Sequence, residues 1–207
     1  MSRFSLGAVV MAAGEGRRFG GPKQLLEVDG VPLVCRAAAE ALAAGVERVA
    51  IVTGAHAEAV KAAVKTWAAT QGIDSHLDVA HNPDWATGMR GSLRTGVLAV
   101  TQVAAPDACF VLLADQPNLD ATLLRGFAER LPGHDAVALA YPSGPGAPAL
   151  FSRKLYPRLL GEDAAYPAEG AKAILRDATM RTALVKAPMQ RLDIDTPADW
   201  DAWLERH

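Results

Sequence analysis

Residues 6–25 read LGAVVMAAGEGRRFGGPKQL: an apolar run of strand length passes directly into a stretch holding four glycines, two arginines and a lysine. Glycine is the residue that lets backbone N–H groups turn inward and approach a polyphosphate closely, and Arg18 and Lys23 add fixed positive charge beside them. Gly14, Gly16, Gly20 and Gly21 therefore read as a phosphate-binding loop that follows a first strand. The competing reading is a surface turn with solvated charges. Cations spaced among glycines straight after a buried strand argue against it.

Three loop designs compete for this stretch. A Walker A loop requires G-x-x-x-x-G-K-[ST], whereas Lys23 here follows Pro22 and precedes Gln24. A dinucleotide fingerprint G-x-G-x-x-G can begin at Gly14 and Gly16, yet its third glycine falls on Phe19, and Pro22 blocks an immediate helix. The third design, a glycine loop with spaced cations and neither fingerprint, is the one these residues fit.

Outward from this loop, apolar runs of strand length alternate with segments of helical period. Strands are expected at 6–13, 48–54, 108–114, 135–141 and 182–186. Helices are expected in VPLVCRAAAEALAAG, AEAVKAAVKTWAAT, GSLRTGVLAVTQVA and ATLLRGFAERL. Only AYPSGPGAPALF (140–151) and GEDAAYPAEG (161–170) have the composition of loops of any length. No repeat and no low-complexity linker divides the chain, so residues 1–207 are expected to form a single α/β domain.

The 207 residues carry a net charge of -2 and are half hydrophobic. A near-neutral balance of this kind offers no electrostatic footprint for nucleic acid or for an acidic membrane, so the expected partners are small molecules. No apolar run approaches the roughly 20 residues of a spanning helix, and MSRFSLG holds no apolar signal core. Cys35 and Cys109 sit in apolar contexts without metal or redox spacing, as expected of core thiols in a reducing cytoplasm. The five histidines lack the close spacing of a zinc site and read as solvated or core residues.

Ligand crevices of open α/β sheets lie beyond the carboxyl ends of strands, which directs attention to the carboxylates there. In CFVLLADQPNLDATLL, Asp115 emerges from the end of an apolar run and suits magnesium, which takes one or two carboxylates plus phosphate oxygens and water. Asp120 reads as the N-cap of the following helix. Near the C-terminus, QRLDIDTPADWDAWL places Asp195 or Thr196 as a helix start signal before Pro197. Capping does not explain Asp193. Finally, HNPDWATGMRGSLRTGV (81–97) leads from a strand end into a helix whose first residues include Gly88, Gly91 and Ser92. A helix start capped by Ser is the plain reading of these; a glycine that permits close approach and a hydroxyl that can meet a ligand is the functional one.

Taken in order, AAGEGRRFGGPK resembles the A-A-G-x-x-x-R-M-G-x-x-K signature of the nucleotidyltransferases related to molybdenum cofactor cytidylyltransferase and MobA, with Phe19 in place of methionine. The Asp115 segment resembles the family's L-x-x-D-x-P, residues 88–96 resemble its G-M-x-x-S-L-R-x-G stretch, and residues 193–197 resemble its D-I-D-T-P ending. The resemblance implies a three-layer, Rossmann-like, mixed and mostly parallel sheet with helices on both faces, of the nucleotide-diphospho-sugar transferase type. It implies Arg18, Lys23 and Asp115 as catalytic residues, and Ala12, Ala13, Gly14, Gly16, Gly88 and Ser92 as nucleotide-binding. Mg2+ would be held by Asp115 and Asp193.

Ala12 and Ala13 match the A-A-G form that accompanies pyrimidine nucleotides, so CTP is the implied donor of CMP. The implied acceptor is phosphorylated, with molybdopterin favoured, pyrophosphate is released, and a molybdoenzyme or its chaperone is a possible partner. Three acceptor-side positions depart from the family pattern: Ala147 stands in a G-H-P element, and Glu169 and Lys172 stand where an arginine-bearing element is expected. These departures keep two alternatives open: a MobA-like guanylyltransferase or a sugar- or polyol-phosphate nucleotidyltransferase, and a non-catalytic nucleotide-binding accessory of molybdoenzyme maturation.

Overall fold

The structure is a computed structural model that describes residues 4–103, 105–162, 170–186 and 193–207. In chain order the elements are β1 (Leu6–Ala12), β2 (Glu27–Val28), β3 (Val31–Pro32), α1 (Leu33–Ala43), β4 (Arg48–Thr53), α2 (Ala57–Gln71), β5 (Leu77–His81), α3 (Met89–Val103), β6 (Ala108–Leu113) and α4 (Ala121–Arg130). They continue with β7 (Ala136–Tyr141), β8 (Gly144–Ser152), α5 (Tyr156–Leu160), α6 (Ala171–Arg176), β9 (Thr182–Lys186) and α7 (Pro197–Leu204). Among the described residues one seven-stranded sheet runs in the order β5-β4-β1-β6-β8-β7-β9, with β2 and β3 as a separate short hairpin. Only β8 runs against its neighbours, so the sheet is mixed and mostly parallel, as expected.

Alternation along β1 explains the three layers, because successive side chains leave opposite faces of a strand. Ala8, Val10 and Ala12 pack with α1, α2 and α4 in one apolar cluster. Val9 and Ala13 pack with α3, α5 and α6 in the other. Being covered on both sides is what makes the central strands continuous apolar runs rather than alternating ones. Cys35 and Cys109 are buried and free, one in each layer, and burial pushes both thiols up to about 12.

The five expected strands and four expected helices occur within a few residues of their expected limits. The expectation of a long loop at 140–151 is corrected: β7 and β8 form an antiparallel hairpin there, turned by Gly144 at φ 106°. Ala149, Leu150 and Phe151 pair with β6 on one side and β7 on the other, whereas Gly144, Pro145 and Gly146 pair with β7 alone. Proline and glycine are tolerated where a strand has one partner. Ala147 and Pro148 fall at the register shift opposite Ala138 and Leu139. Local composition therefore read as loop what tertiary pairing makes a strand. The other long loop, 161–170, lies almost wholly outside the described residues, as does Glu169.

Helix α3 lies unusually close to the sheet. A Cβ on Gly96 would meet Val9 at 2.3 Å and Val52 at 2.7 Å, both stiff β-branched side chains fixed in the sheet. Gly96→Ala is expected to cost about 1–3 kcal/mol, the usual price of overpacking. Urea unfolding with a lower midpoint and an unchanged m-value checks this.

Candidate active site

The glycine loop leaves the carboxyl end of β1 and closes on itself. Gly16 adopts φ 73°, and a Cβ there would stand 1.9 Å from the Gly21 carbonyl oxygen, so no other residue fits. The Gly16 carbonyl accepts from the amides of Phe19, Gly20 and Gly21 at 3.0, 2.8 and 3.3 Å. Those three amides are spent on the loop's own shape. The amides of Gly14 through Arg18, by contrast, have no hydrogen-bond acceptor among the described residues, and they border the cleft. Gln24 is buried and donates through Nε2 to the carbonyls of Ala12 and Gly14 at 3.3 and 3.2 Å, while His56 donates to the Glu15 carbonyl at 3.0 Å. His56 is thus a prop for the loop rather than a merely solvated or core histidine.

Lys23 reaches inward from the short helical turn that ends the loop. Its ammonium lies 2.6 Å from Asp115 Oδ2, 3.0 Å from Asp195 Oδ1 and 2.8 Å from the Ile194 carbonyl oxygen. Three acceptors match the three donors of an ammonium group. Burial alone lowers the Lys23 pKa, and the charges and hydrogen bonds of Asp115 and Asp195 more than reverse that, so it stands above its ordinary value. Arg18 Nη2 approaches the same Asp195 oxygen at 2.9 Å from the solvent side.

Beyond β6, Asp115 turns its Oδ1 into a buried position with no hydrogen-bond partner among the described residues. Its carbonyl accepts from the Ile194 amide at 2.9 Å, which brings the chain around 193–195 alongside. Gln116, also buried, donates through Nε2 to Asp193 Oδ1 at 2.8 Å and to the Ala147 carbonyl at 3.1 Å. Burial raises the Asp193 pKa; the Gln116 bond opposes this, and the nearby charges of Asp115 and Asp195 add to it. Tyr141, whose phenol burial likewise raises, donates to the same Ala147 carbonyl at 2.6 Å.

Across the cleft, Trp85, Ala86, Gly88, Met89 and Ser92 form the opposite wall. Gly88 adopts φ 127° with open space where a Cβ would stand. Ser92 lies inside α3, not at its start, which removes the capping reading. Its Oγ accepts from the buried Asn82 Nδ2 at 2.9 Å, so the hydroxyl hydrogen remains to be donated elsewhere.

These walls enclose a cleft of about 460 Å³. Arg18, Lys23, Asp115, Ala12, Ala13, Gly14, Gly16, Gly88 and Ser92 all line it. Asp193 instead lines an adjoining cavity of about 290 Å³, together with Gly146, Ala147 and Lys172, and the two spaces share Met11, Met89 and Leu113. The start of the last helix corrects the reading of Asp195. Thr196 is the N-cap, in a capping box with Asp199, and Asp195 is free to bind the two cations. Gln116, Gln24 and Trp85 are site residues that sequence reasoning did not single out, and it read Asp195 only as a helix start signal. The available signal for Asp195 was the D-I-D alternation about Ile194, an apolar residue that proves to be buried.

A cleft at the carboxyl ends of parallel strands, with free amides and an arginine on one wall and carboxylates on another, defines a nucleotide-handling α/β protein. Residues 8–184 match the MobA-like NTP transferase domain, and the chain belongs to that family of nucleotidyltransferases. No curated protein matches it. Among solved structures it is similar to Rv0371c from Mycobacterium tuberculosis H37Rv, with 26% identity, 99% of this chain and 100% of that chain covered, and a TM-score of 0.76. A structure of Rv0371c in complex with manganese is similar at 25% identity, with 98% and 100% of the two chains covered and a TM-score of 0.72. A 4-diphosphocytidyl-2C-methyl-D-erythritol synthase from Anaerococcus prevotii shares the fold at 15% identity, with 98% and 97% covered and a TM-score of 0.74.

Lys23→Met leaves the Asp115 carboxylate without its counter-ion. The expected loss is about 2–3 kcal/mol in urea unfolding, below the roughly 3–5 kcal/mol for a fully buried pair because both side chains keep nearly a fifth of their exposure. Asp115→Asn in the same chain should recover part of it. Because the folded pKa of Lys23 is raised, its contribution is complete below 10.5 and fades as pH rises through the folded value. Stabilities of the wild type and variant should therefore converge in strongly alkaline solution.

Proposed function

We propose that this chain is a magnesium-dependent cytidylyltransferase that transfers CMP from CTP to a phosphorylated acceptor, molybdopterin being the acceptor that its motifs favour. One observation carries the reading. Two cavities share Met11, Met89 and Leu113, one against the glycine loop and one lined by Asp193, and the first is lined by Asp115, a carboxylate whose inner oxygen has no partner among the described residues. A donor and an acceptor would lie one in each.

The donor set fits magnesium. Asp115 Oδ1 is buried with no hydrogen-bond partner among the described residues, Asp193 lines the adjoining cavity with its Oδ1 on Gln116, and magnesium takes few carboxylates because phosphate oxygens and water complete its shell. Asp115 and Asp193 would hold the ion, whose chemistry when bound is neutralisation of charge on phosphate oxygens.

The protein's own groups account for the rest. Trp85, Gly88 and Ser92 receive the base, and the close Ala12–Ala13 wall favours a pyrimidine. An acceptor phosphate oxygen attacks the α-phosphorus in line; the new P–O bond forms as the bond to the bridging oxygen breaks, and pyrophosphate leaves. A phosphomonoester has a second pKa of about 6, so the nucleophile is already anionic and no general base is required. Arg18 and the free amides of residues 14–18 take up the charge of the leaving pyrophosphate. Lys23 fixes Asp115 beside the α-phosphate. Among the described residues that line the second cavity, Lys172 is the cation that can meet an anionic acceptor.

A thermal-shift screen of four nucleoside triphosphates with magnesium, followed by pyrophosphate release with candidate acceptors, tests this. CTP is expected to give the largest shift. Asp115→Ala is expected to abolish metal-dependent release, and near-normal turnover in that variant would remove Asp115 from the metal site. Arg18→Ala is expected to lower kcat/KM by about 10²–10³, the effect of losing one donor to a developing oxyanion. Binding without turnover on any acceptor would favour the accessory reading, to which the changed Ala147 and Lys172 positions lend support.

A further inference from the structure

We propose that Asp195 determines ligand specificity in this cleft: it stands in for a phosphate oxygen and so admits a triphosphate only when a divalent cation accompanies it. The proposal rests on the cleft being a nucleotide site. A single oxygen, Asp195 Oδ1, is shared by Arg18 Nη2 at 2.9 Å and Lys23 Nζ at 3.0 Å, and charge-assisted bonds of this kind are also what cations give a phosphate oxygen. The carboxylate is not needed as a helix cap, since Thr196 and Asp199 already cap α7.

The two contacts are easily exchanged. The Arg18 side chain is 70% exposed, and an ion pair so open to water contributes little. Lys23 keeps Asp115 and the Ile194 carbonyl when Asp195 withdraws. A ligand can therefore take the place of Asp195 on Arg18 without dismantling the site.

Charge decides which ligand does so. Among the described residues, the charged groups lining the cleft are Glu15, Asp115 and Asp195 against Arg17, Arg18 and Lys23, three of each sign. Glu15 and Arg17 already pair at 2.5 Å, and Asp193 lies just beyond, so the cleft offers no net positive charge. A bare triphosphate meets a balanced site whose cations are engaged. A chelated one brings its own compensation to the carboxylates. Neutralising residue 195 frees Arg18 and tips the balance by one charge.

The test measures binding in the absence of turnover. Inorganic tripolyphosphate and CTP are titrated in EDTA, and CTP is titrated with magnesium, by calorimetry, with the fluorescence of Trp85 at the cleft wall as a second signal. Asp195→Asn is expected to bind the metal-free anions about tenfold more tightly than wild type, the scale of one charge a few ångströms away in a partly exposed site. Its preference for magnesium-CTP over free CTP should shrink correspondingly. Asp195→Glu should behave as wild type, and adding Arg18→Gln to Asp195→Asn should erase the gain. Should the amide variant fail to fold, Asp195→Ser makes the same test. Unchanged or weaker metal-free binding overturns the proposal, and a loss confined to the magnesium titration overturns it in favour of Asp195 as a metal ligand. If the wild type binds no magnesium nucleotide at all, the nucleotide reading itself fails and the proposal falls with it; wild-type binding without the gain in the variant sinks the proposal alone.

Discussion

The ammonium group of Lys23 is the interaction on which the site depends. It belongs to the glycine loop, yet its three acceptors come from the end of β6 and from the approach to α7, segments more than ninety residues further along the chain. Parallel pairing of β1 with β6 puts Asp115 next to the loop. The third segment is brought in by packing: Ile194 and Trp203 join Val28 and Leu33 in a small apolar cluster against which Phe19, Leu26 and Trp200 pack. Trp203 also donates to Asn118 Oδ1 at 2.8 Å, pinning the last helix to the chain just past Asp115. Apolar burial thus brings the carboxylates near, and the lysine fixes where each one stands.

That arrangement concentrates like charge. Asp115, Asp193 and Asp195 are close enough for the first and third to raise the pKa of the second, although its burial is the larger cause. A buried or half-buried carboxylate stays charged only at a cost unless a cation or donors compensate it. Lys23 compensates Asp115 and part of Asp195, and Gln116 partly compensates Asp193. Among the described residues, the inner oxygen of Asp115 has no partner. Local discord of this kind is expected where a sequence serves a ligand rather than its own stability. In the glycine loop the same division holds for backbone donors: three amides stabilise the turn and the preceding ones face the cleft.

Much of this was legible in the chain. The parallel strands that carry the site are apolar runs bounded by turn residues, and the loop, the strand-end Asp115 and the glycine-rich start of α3 all announce themselves through composition. What could not be read depends on who sits opposite. β8 looks like a loop because its glycines and prolines are local, while the pairing that makes it a strand involves β6 and β7. Asp195 sits in a sequence context that a helix cap explains equally well, and only the folded chain shows Thr196 taking that role. Gln116 is one polar residue between Asp115 and a proline; its importance comes from Asp193 and Ala147 converging on it.

The departures from the family pattern acquire physical meaning in the same way. Phe19, in place of methionine, packs against the cluster containing Ile194 and Trp203, so the exchange preserves an apolar contact between the loop and the last helix. Ala147, in place of histidine, retains what the backbone contributes, because its carbonyl is the group that Tyr141 and Gln116 both address. What alanine lacks is a side-chain donor facing the second cavity. Lys172 lines that cavity too, and a cation on a long flexible stem suits an anionic group without fixing its orientation as an imidazole or a guanidinium fork does. The cleft against the glycine loop is therefore lined by backbone and shared carboxylates, whereas the adjoining cavity carries its positive charge, among the described residues, on the long flexible stem of Lys172.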